Sequence, residues 1–396
     1  MKPHRIVLAG GLIVLWTAFI ALAWFMSQSG NYGRIDYRVY YEAAQQLNHG
    51  QPIYQGTEGM IYLYPPLLAQ ILMPLAAHLT VDQVWVLWFS FNVLLLTGTV
   101  VVLSRQLPRR RMWLLVPLFA LMLEGLYIGQ VTILLLALFA GAWLAVKRER
   151  RLTAGALLAL ATWIKVFPVV VILYFLWKRD WKVVAGALVG GFALGALQVA
   201  VSGIEQMVSM AHTLFALNEA GQSWTLVRNA SVLGFSTQLF GTNPQVTPLI
   251  VSPTLYLITR TLIMLALIGS FLFVTARSND FDLGYGLAIL TSMLISPTLF
   301  PVSMPPLLLT YFLLLRPPRL TPRRAGFVLL ASMGLLCYWL FVIGYTGIPP
   351  ISGVVLSFGF YVLIITWSVN AWLLWRSHPV AEPEEDAAVQ ENAVSR

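Results

Sequence analysis

Apolar runs long enough to reach across a lipid bilayer recur along almost the whole of this 396-residue chain, separated by short basic loops. A helix of about 20 apolar residues spans the hydrocarbon core. Inside lipid, every backbone N–H and C=O must find its partner within the protein, which leaves α-helices and closed β-barrels. A barrel needs segments of about ten residues that alternate polar and apolar, and this chain has none. Composition agrees: 58% of residues are hydrophobic and 10% are charged, against roughly 25% charged in soluble domains. The expected fold is an all-α polytopic membrane protein.

Spans are expected at roughly 6–26, 83–104, 112–125, 128–146, 152–165, 167–177, 182–202, 253–276, 281–296, 300–315, 325–345 and 352–375. That is about twelve crossings in a single transmembrane domain over 1–376, with both termini on one side. Several are too short to cross alone, and 152–165 with 167–177 reads as one broken hairpin. The first run opens with Lys2 and Arg5 and is longer than a signal-peptide core. It reads as a retained helix, although Ala21-Leu22-Ala23 leaves cleavage open. The net charge of +9 sits mainly in short clusters between spans. Placing those clusters in the cytoplasm satisfies the positive-inside rule and leaves only Arg34, Arg38, Lys165, Arg228 and Arg260 elsewhere. The charge therefore sets topology and does not argue for nucleic acid.

On that assignment two long loops face outward, about 28–82 and 203–252. Connections of this length are usually functional, and both are expected to contain interfacial helices. Residues 65–80 are apolar, but a crossing there would invert the charge rule, so a re-entrant or interfacial helix is expected. The acidic tail 377–396 reads as disordered. The lone Cys337 rules out an intramolecular disulfide, and His49, His78 and His212 are isolated. No spacing suggests a metal.

Four stretches carry polar residues at the outer side: "GRIDYRVYYEAAQQLNHG" followed by "IYLYPPLLAQILMPLA", "EGLYIGQVTILLLALFAG", "AGALLALATWIKVFPVVVIL" and "RNASVLGF". Asp36 has two readings. It can cap a helix that ends before Gly50, or act as a base at the membrane surface, where Arg34 and Arg38 could tune it. Lys165, between two apolar runs, is a functional candidate by position or a snorkelling anchor. Arg260 has the same two readings. Arg228 and Asn229 could contact substrate or cap a loop, and "NAS" is also a formal glycosylation sequon. Glu124 and Gln130 flank one outer turn, where a polar-turn role and packing through Gly129 are the plain alternatives. Tyr37, Tyr40, Tyr41, Tyr54, Tyr62 and Tyr64 are expected mostly as an interface belt, with one or two left to stack on a ligand.

Taken in order, "D..VYY.AA..L..G..IY" with "YPP" and "PLA", "GQVTILLLAL", "AG..LALAT.IK..P", "NAS" and "ISP" resemble the membrane glycosyltransferases of the GT-C superfamily. Within it they resemble glycosyltransferase family 87, the polyprenyl-phosphate-mannose-dependent mannosyltransferases and their relatives. The resemblance covers about 30–310. It implies a GT-C fold in the plasma membrane, with the active site outside and the termini in the cytoplasm. It implies a polyprenyl-phosphate sugar as donor, with no further cofactor, and a lipid or envelope glycan as acceptor. The anomeric centre would be inverted in one displacement, with Asp36 as general base. Gln130 and Asn229 match family elements and are expected to orient the donor. Lys165, with Arg228 or Arg260, is expected at the departing phosphate. Tyr40, Tyr64 and Glu124 are expected at the acceptor or sugar. A histidine pair common in the family is absent, and Val302 and Ser303 stand in its place. Two rival readings remain: a flippase for lipid-linked sugar, which would typically show an internal repeat, and a non-catalytic envelope assembly protein.

Overall fold

The computed structural model describes residues 3–28, 33–54, 62–219, 228–242, 246–316, 321–344 and 351–377. The expected disordered tail lies outside them, apart from its first residue. The described chain is almost wholly helical. One short exception is a parallel pair of two-residue strands, Val246–Thr247 with Ile351–Ser352.

The first half runs α1 (Pro3–Gln28), α2 (Ile35–Asn48), α3 (Leu67–His78), α4 (Val81–Ser104), α5 (Arg109–Met112), α6 (Phe119–Ile128), α7 (Thr132–Lys147), α8 (Arg151–Ile164) and α9 (Val169–Trp177). The second runs α10 (Trp181–Ser202), α11 (Ile204–Glu219), α12 (Val232–Phe240), α13 (Pro253–Arg277), α14 (Phe281–Leu294), α15 (Leu307–Leu315), α16 (Pro322–Gly344), α17 (Gly353–Leu356) and α18 (Phe358–Arg376). Among the described residues six stretches are long and apolar enough to cross a membrane: α4, the α5–α6 run, α10, α13, α16 and α18. The chain is therefore an all-α membrane protein. Other apolar segments form shorter helices, residues 67–78 among them. The helix of the first long loop, α2, ends as its sequence suggests, with Gly50 in the left-handed region at φ 67°.

Small residues set the packing around α8. A Cβ on Gly155 would lie 2.0 Å from the Val183 carbonyl, and one on Gly186 would lie 2.2 Å from the Leu152 carbonyl. α8 and α10 therefore cross in backbone contact, the way small residues bring membrane helices together. The indole of Trp163 donates to the Gly191 carbonyl at 2.8 Å. This clamp ties α10 to the last turn of α8, which ends at Ile164, just before Lys165. On the other flank, α1 packs through Trp16 and Phe19 onto Phe119 of α6.

The bundle has two distinguishable ends. The turn from α7 to α8, the turn from α9 to α10, the start of α14 and the end of α15 meet at one end, joined by Lys147–Asp282, Arg316–Asp282 and Arg151–Asp180 ion pairs. The start of α2, the turn from α6 to α7, the end of α8 and residues 301–303 meet at the other.

Candidate functional site

Asp36 does not cap α2. The position before the helix is Arg34, held left-handed at φ 62° with no side-chain cap, and Asp36 lies within the first turn. Arg34 cannot tune it either: its guanidinium pairs with Asp82 at 2.5 Å, and Arg38 is exposed. The partner of Asp36 comes from 94 residues away. Gln130 Nε2 donates to Asp36 Oδ2 at 2.5 Å. Among the described residues, Oδ1 has no hydrogen-bond partner.

Gln130 is 3% exposed and both ends of its amide are engaged. Its Oε1 accepts from Tyr40 at 2.6 Å, from Tyr64 at 3.1 Å and from the Val131 backbone at 3.0 Å. That leaves the amide NH2 aimed at the carboxylate. The turn carrying Gln130 depends on Gly129, which sits at φ 79° where a Cβ would meet Tyr37 at 2.6 Å and Trp85 at 2.7 Å. The Trp88 indole donates to the Gly129 carbonyl at 2.8 Å. The "GQ" pair thus combines a backbone position that favours glycine with a side chain that orients Asp36.

The tyrosines are not an interface belt. Tyr37, Tyr40, Tyr54 and Tyr62 are buried. Tyr37 donates to Val81 O, Tyr41 to Leu79 O, Tyr54 to Tyr64 O and Tyr62 to Pro65 O. Buried hydroxyls need such partners, so these rings form the packed interior of the first loop.

Lys165 follows the last residue of α8 with extended backbone. Its ammonium donates to Ser303 Oγ at 3.2 Å and lies 5.6 Å from the Tyr64 ring centroid. Ser303 is one of the two positions where the resemblance leads one to look for histidine. Lys165 and Asp36 interact electrostatically but form no ion pair within 4 Å. Burial raises the Asp36 carboxyl to about 6, and the positive charge of Lys165 holds it below what burial alone would give.

Glu124 is not in an exposed turn. It is buried in α6 with Oε2 unpartnered among the described residues. It lies within electrostatic range of Arg228 and Asp36, and the Trp339 indole comes near it without good hydrogen-bond geometry. Asn229 is buried and engaged: Nδ2 donates to Pro297 O at 2.9 Å, while Oδ1 accepts from Ser231 N and Leu299 N. The "NAS" and "ISP" motifs are therefore stitched together. An amide spent in this way supports a loop, and burial leaves no room for a glycan on the sequon. Arg260 has one described partner, Tyr256 of its own helix, at 3.4 Å, and nothing connects it to Asp36 or Lys165. Sequence reasoning missed Ser303 as a partner of Lys165 and the supporting role of Trp88. Both depend on contacts across the fold. Among the described residues no three His, Cys, Asp or Glu converge as metal ligands.

The model of glycosyltransferase family 87 matches residues 62–297. The match takes in Glu124, Gln130, Lys165, Arg228, Asn229 and Arg260, and begins after α2, so Asp36 lies just upstream. No curated protein and no solved structure matches the chain.

Proposed function

The chain belongs to glycosyltransferase family 87, and from that premise we propose that it moves a sugar from a polyprenyl monophosphate to a lipid or envelope-glycan acceptor on the outer face of the membrane. The acceptor hydroxyl attacks the anomeric carbon while the bond from that carbon to the phosphate oxygen breaks on the opposite side. The centre inverts, and the polyprenyl phosphate departs with the bonding pair. Asp36 takes the hydroxyl proton. The short helices paired at breaks, such as α8 with α9, would complete about twelve crossings of a GT-C fold.

One observation carries this reading. A carboxylate with one free oxygen and an ammonium share a site without pairing with each other. A general base must be ionised and within reach of the proton it takes, and Gln130 fixes the orientation of Asp36 while leaving Oδ1 free. A departing phosphate needs cations or oriented donors that are already in place, and Lys165 with Ser303 supplies both. Val302 and Ser303 stand where the resemblance leads one to look for the histidine pair, and Lys165 reaches that position through Ser303. Glu124 and Arg228, facing the same end, are assigned to sugar or acceptor hydroxyls, with Tyr64 lining the way in. Gln130 and Asn229 act through the residues they hold.

The test is transfer in lipid by the purified full chain, offered radiolabelled polyprenyl-phosphate sugars and a lipid acceptor extract. Transfer to a product of inverted configuration is expected. Movement of donor between leaflets without transfer from any donor would replace the transferase by a flippase.

A further inference from the structure

The far end of α8 from Lys165, roughly 20 Å away at 1.5 Å per residue, holds a second candidate site. A cavity of about 810 Å3 opens there between the α7–α8 turn, the α9–α10 turn and the start of α14. A second hollow of about 520 Å3 runs between α9 and α13, walled by Leu173, Leu176, Trp177 and Leu272. The two share Lys178, Arg179 and Trp181. One is charged and the other is largely apolar.

The cations of the charged cavity divide into two groups. Lys147 is paired with Asp282 at 2.8 Å, and Arg151 with Asp180 at 2.5 Å and Glu149 at 3.1 Å. Lys178 donates to the carbonyls of Thr275 at 3.1 Å and Ser278 at 2.9 Å. Arg179 and Lys182 are exposed and have no acidic partner within 4 Å among the described residues. Arg179 belongs to both hollows. It occupies a left-handed position, φ 56°, where helix ends usually place glycine.

The groove is built rather than incidental. The Lys178 bonds and the Trp177 indole, which donates to Leu272 O at 3.2 Å, tie the end of α9 to α13. Leu173, Trp177 and Trp181 turn outward at 52%, 46% and 63% exposure. Outward tryptophans mark the headgroup level of a bilayer, and basic pockets between helices at that level take anionic head groups. Topology alone needs basic loops. It does not need a basic cavity opening into an apolar groove.

We propose that this end binds an anionic glycerophospholipid, its phosphate on Arg179 and Lys182 and an acyl chain along the α9–α13 groove. The test is native mass spectrometry of the full chain with phosphatidylglycerol or phosphatidylcholine of matched acyl chains. Phosphatidylglycerol should be retained selectively. Arg179→Gln with Lys182→Gln should reduce retention by about fivefold or more per cation, whereas Arg179→Lys with Lys182→Arg should preserve it. Equal retention of the two lipids, or undiminished retention by the neutralised variant, overturns the proposal. Displacement by inorganic phosphate alone would make this a free-anion site, and preferential displacement by polyprenyl phosphate would assign it to the donor lipid. Either result also overturns it.

Discussion

At the end of the bundle that holds Lys147, Arg151 and Arg316, charges meet directly: Asp282 takes two cations and Asp180 one. At the opposite end the one such pair among the described residues, Arg34 with Asp82, lies at the rim, where Asp82 is 78% exposed. Inside that end, Asp36 and Lys165 stay apart, and each is held by a neutral amide or hydroxyl. Pairing lowers the free energy of a folded chain, and a charge kept from its natural partner has to be supported by its surroundings. Groups held ready in this way are what catalysis requires. The contrast separates residues that hold the bundle from residues assigned to chemistry.

The sharpest way to break the contrast is Asp36→Asn. The amide can still bond to Gln130 but cannot take a proton, so kcat should fall by about 10²–10⁴ with an unchanged melting temperature. Near-normal turnover would place the base elsewhere. Lys165→Ala should cost about 10²–10³ in kcat/KM through lost stabilisation of the phosphate, with Lys165→Arg recovering part of it. Loss of folded protein without a kinetic defect in what remains would make Lys165 a packing residue.

Smaller effects test the supports. With Asp36 raised to about 6, kcat/KM should rise with pH and level off above that value, because only the ionised form accepts the proton. Gln130→Leu should lower turnover by about tenfold and move the acidic limb upward, since a hydrogen bond to the charged form favours ionisation. An unmoved limb would mean that Gln130 only packs. At the opposite end, Asp282→Asn should leave kcat unchanged and reduce stability by about 1–3 kcal/mol, between the values for exposed and buried pairs. A kinetic defect there would dissolve the division between the two ends.

Much of the candidate site was legible as composition. Asp36, Glu124, Lys165 and Arg228 stand out because charge is scarce in this chain, as does Arg260, which the fold leaves unconnected to Asp36 and Lys165, and packing through Gly129 is one reading of the "GQ" turn. The tyrosine-rich loop misled because a tyrosine beside a span reads as an interface anchor. Here the loop folds on itself and buries its rings. Asp36 reads locally as a cap because it opens a helical stretch, yet the chain turns left-handed two residues earlier, at Arg34. Asn229 reads as a ligand-facing residue because its motif recurs with the others. Its side-chain amide instead bonds Pro297 O and Leu299 N and so joins two loops.

The sequence by itself determined that the chain is helical and membrane-embedded, and it placed most helix boundaries to within a few residues; the main α-helices of the spans expected from 112 and from 300 begin only at Phe119 and Leu307. Those properties follow from hydrophobicity summed over neighbouring residues and from the need to satisfy the backbone in lipid. The tertiary structure decided who meets whom. Gln130 finds Asp36 across 94 residues and Lys165 finds Ser303 across 138. Such pairings depend on how the α8–α10 clamp and the Gly129 turn set rigid helices against one another, and no local pattern of residues encodes that geometry.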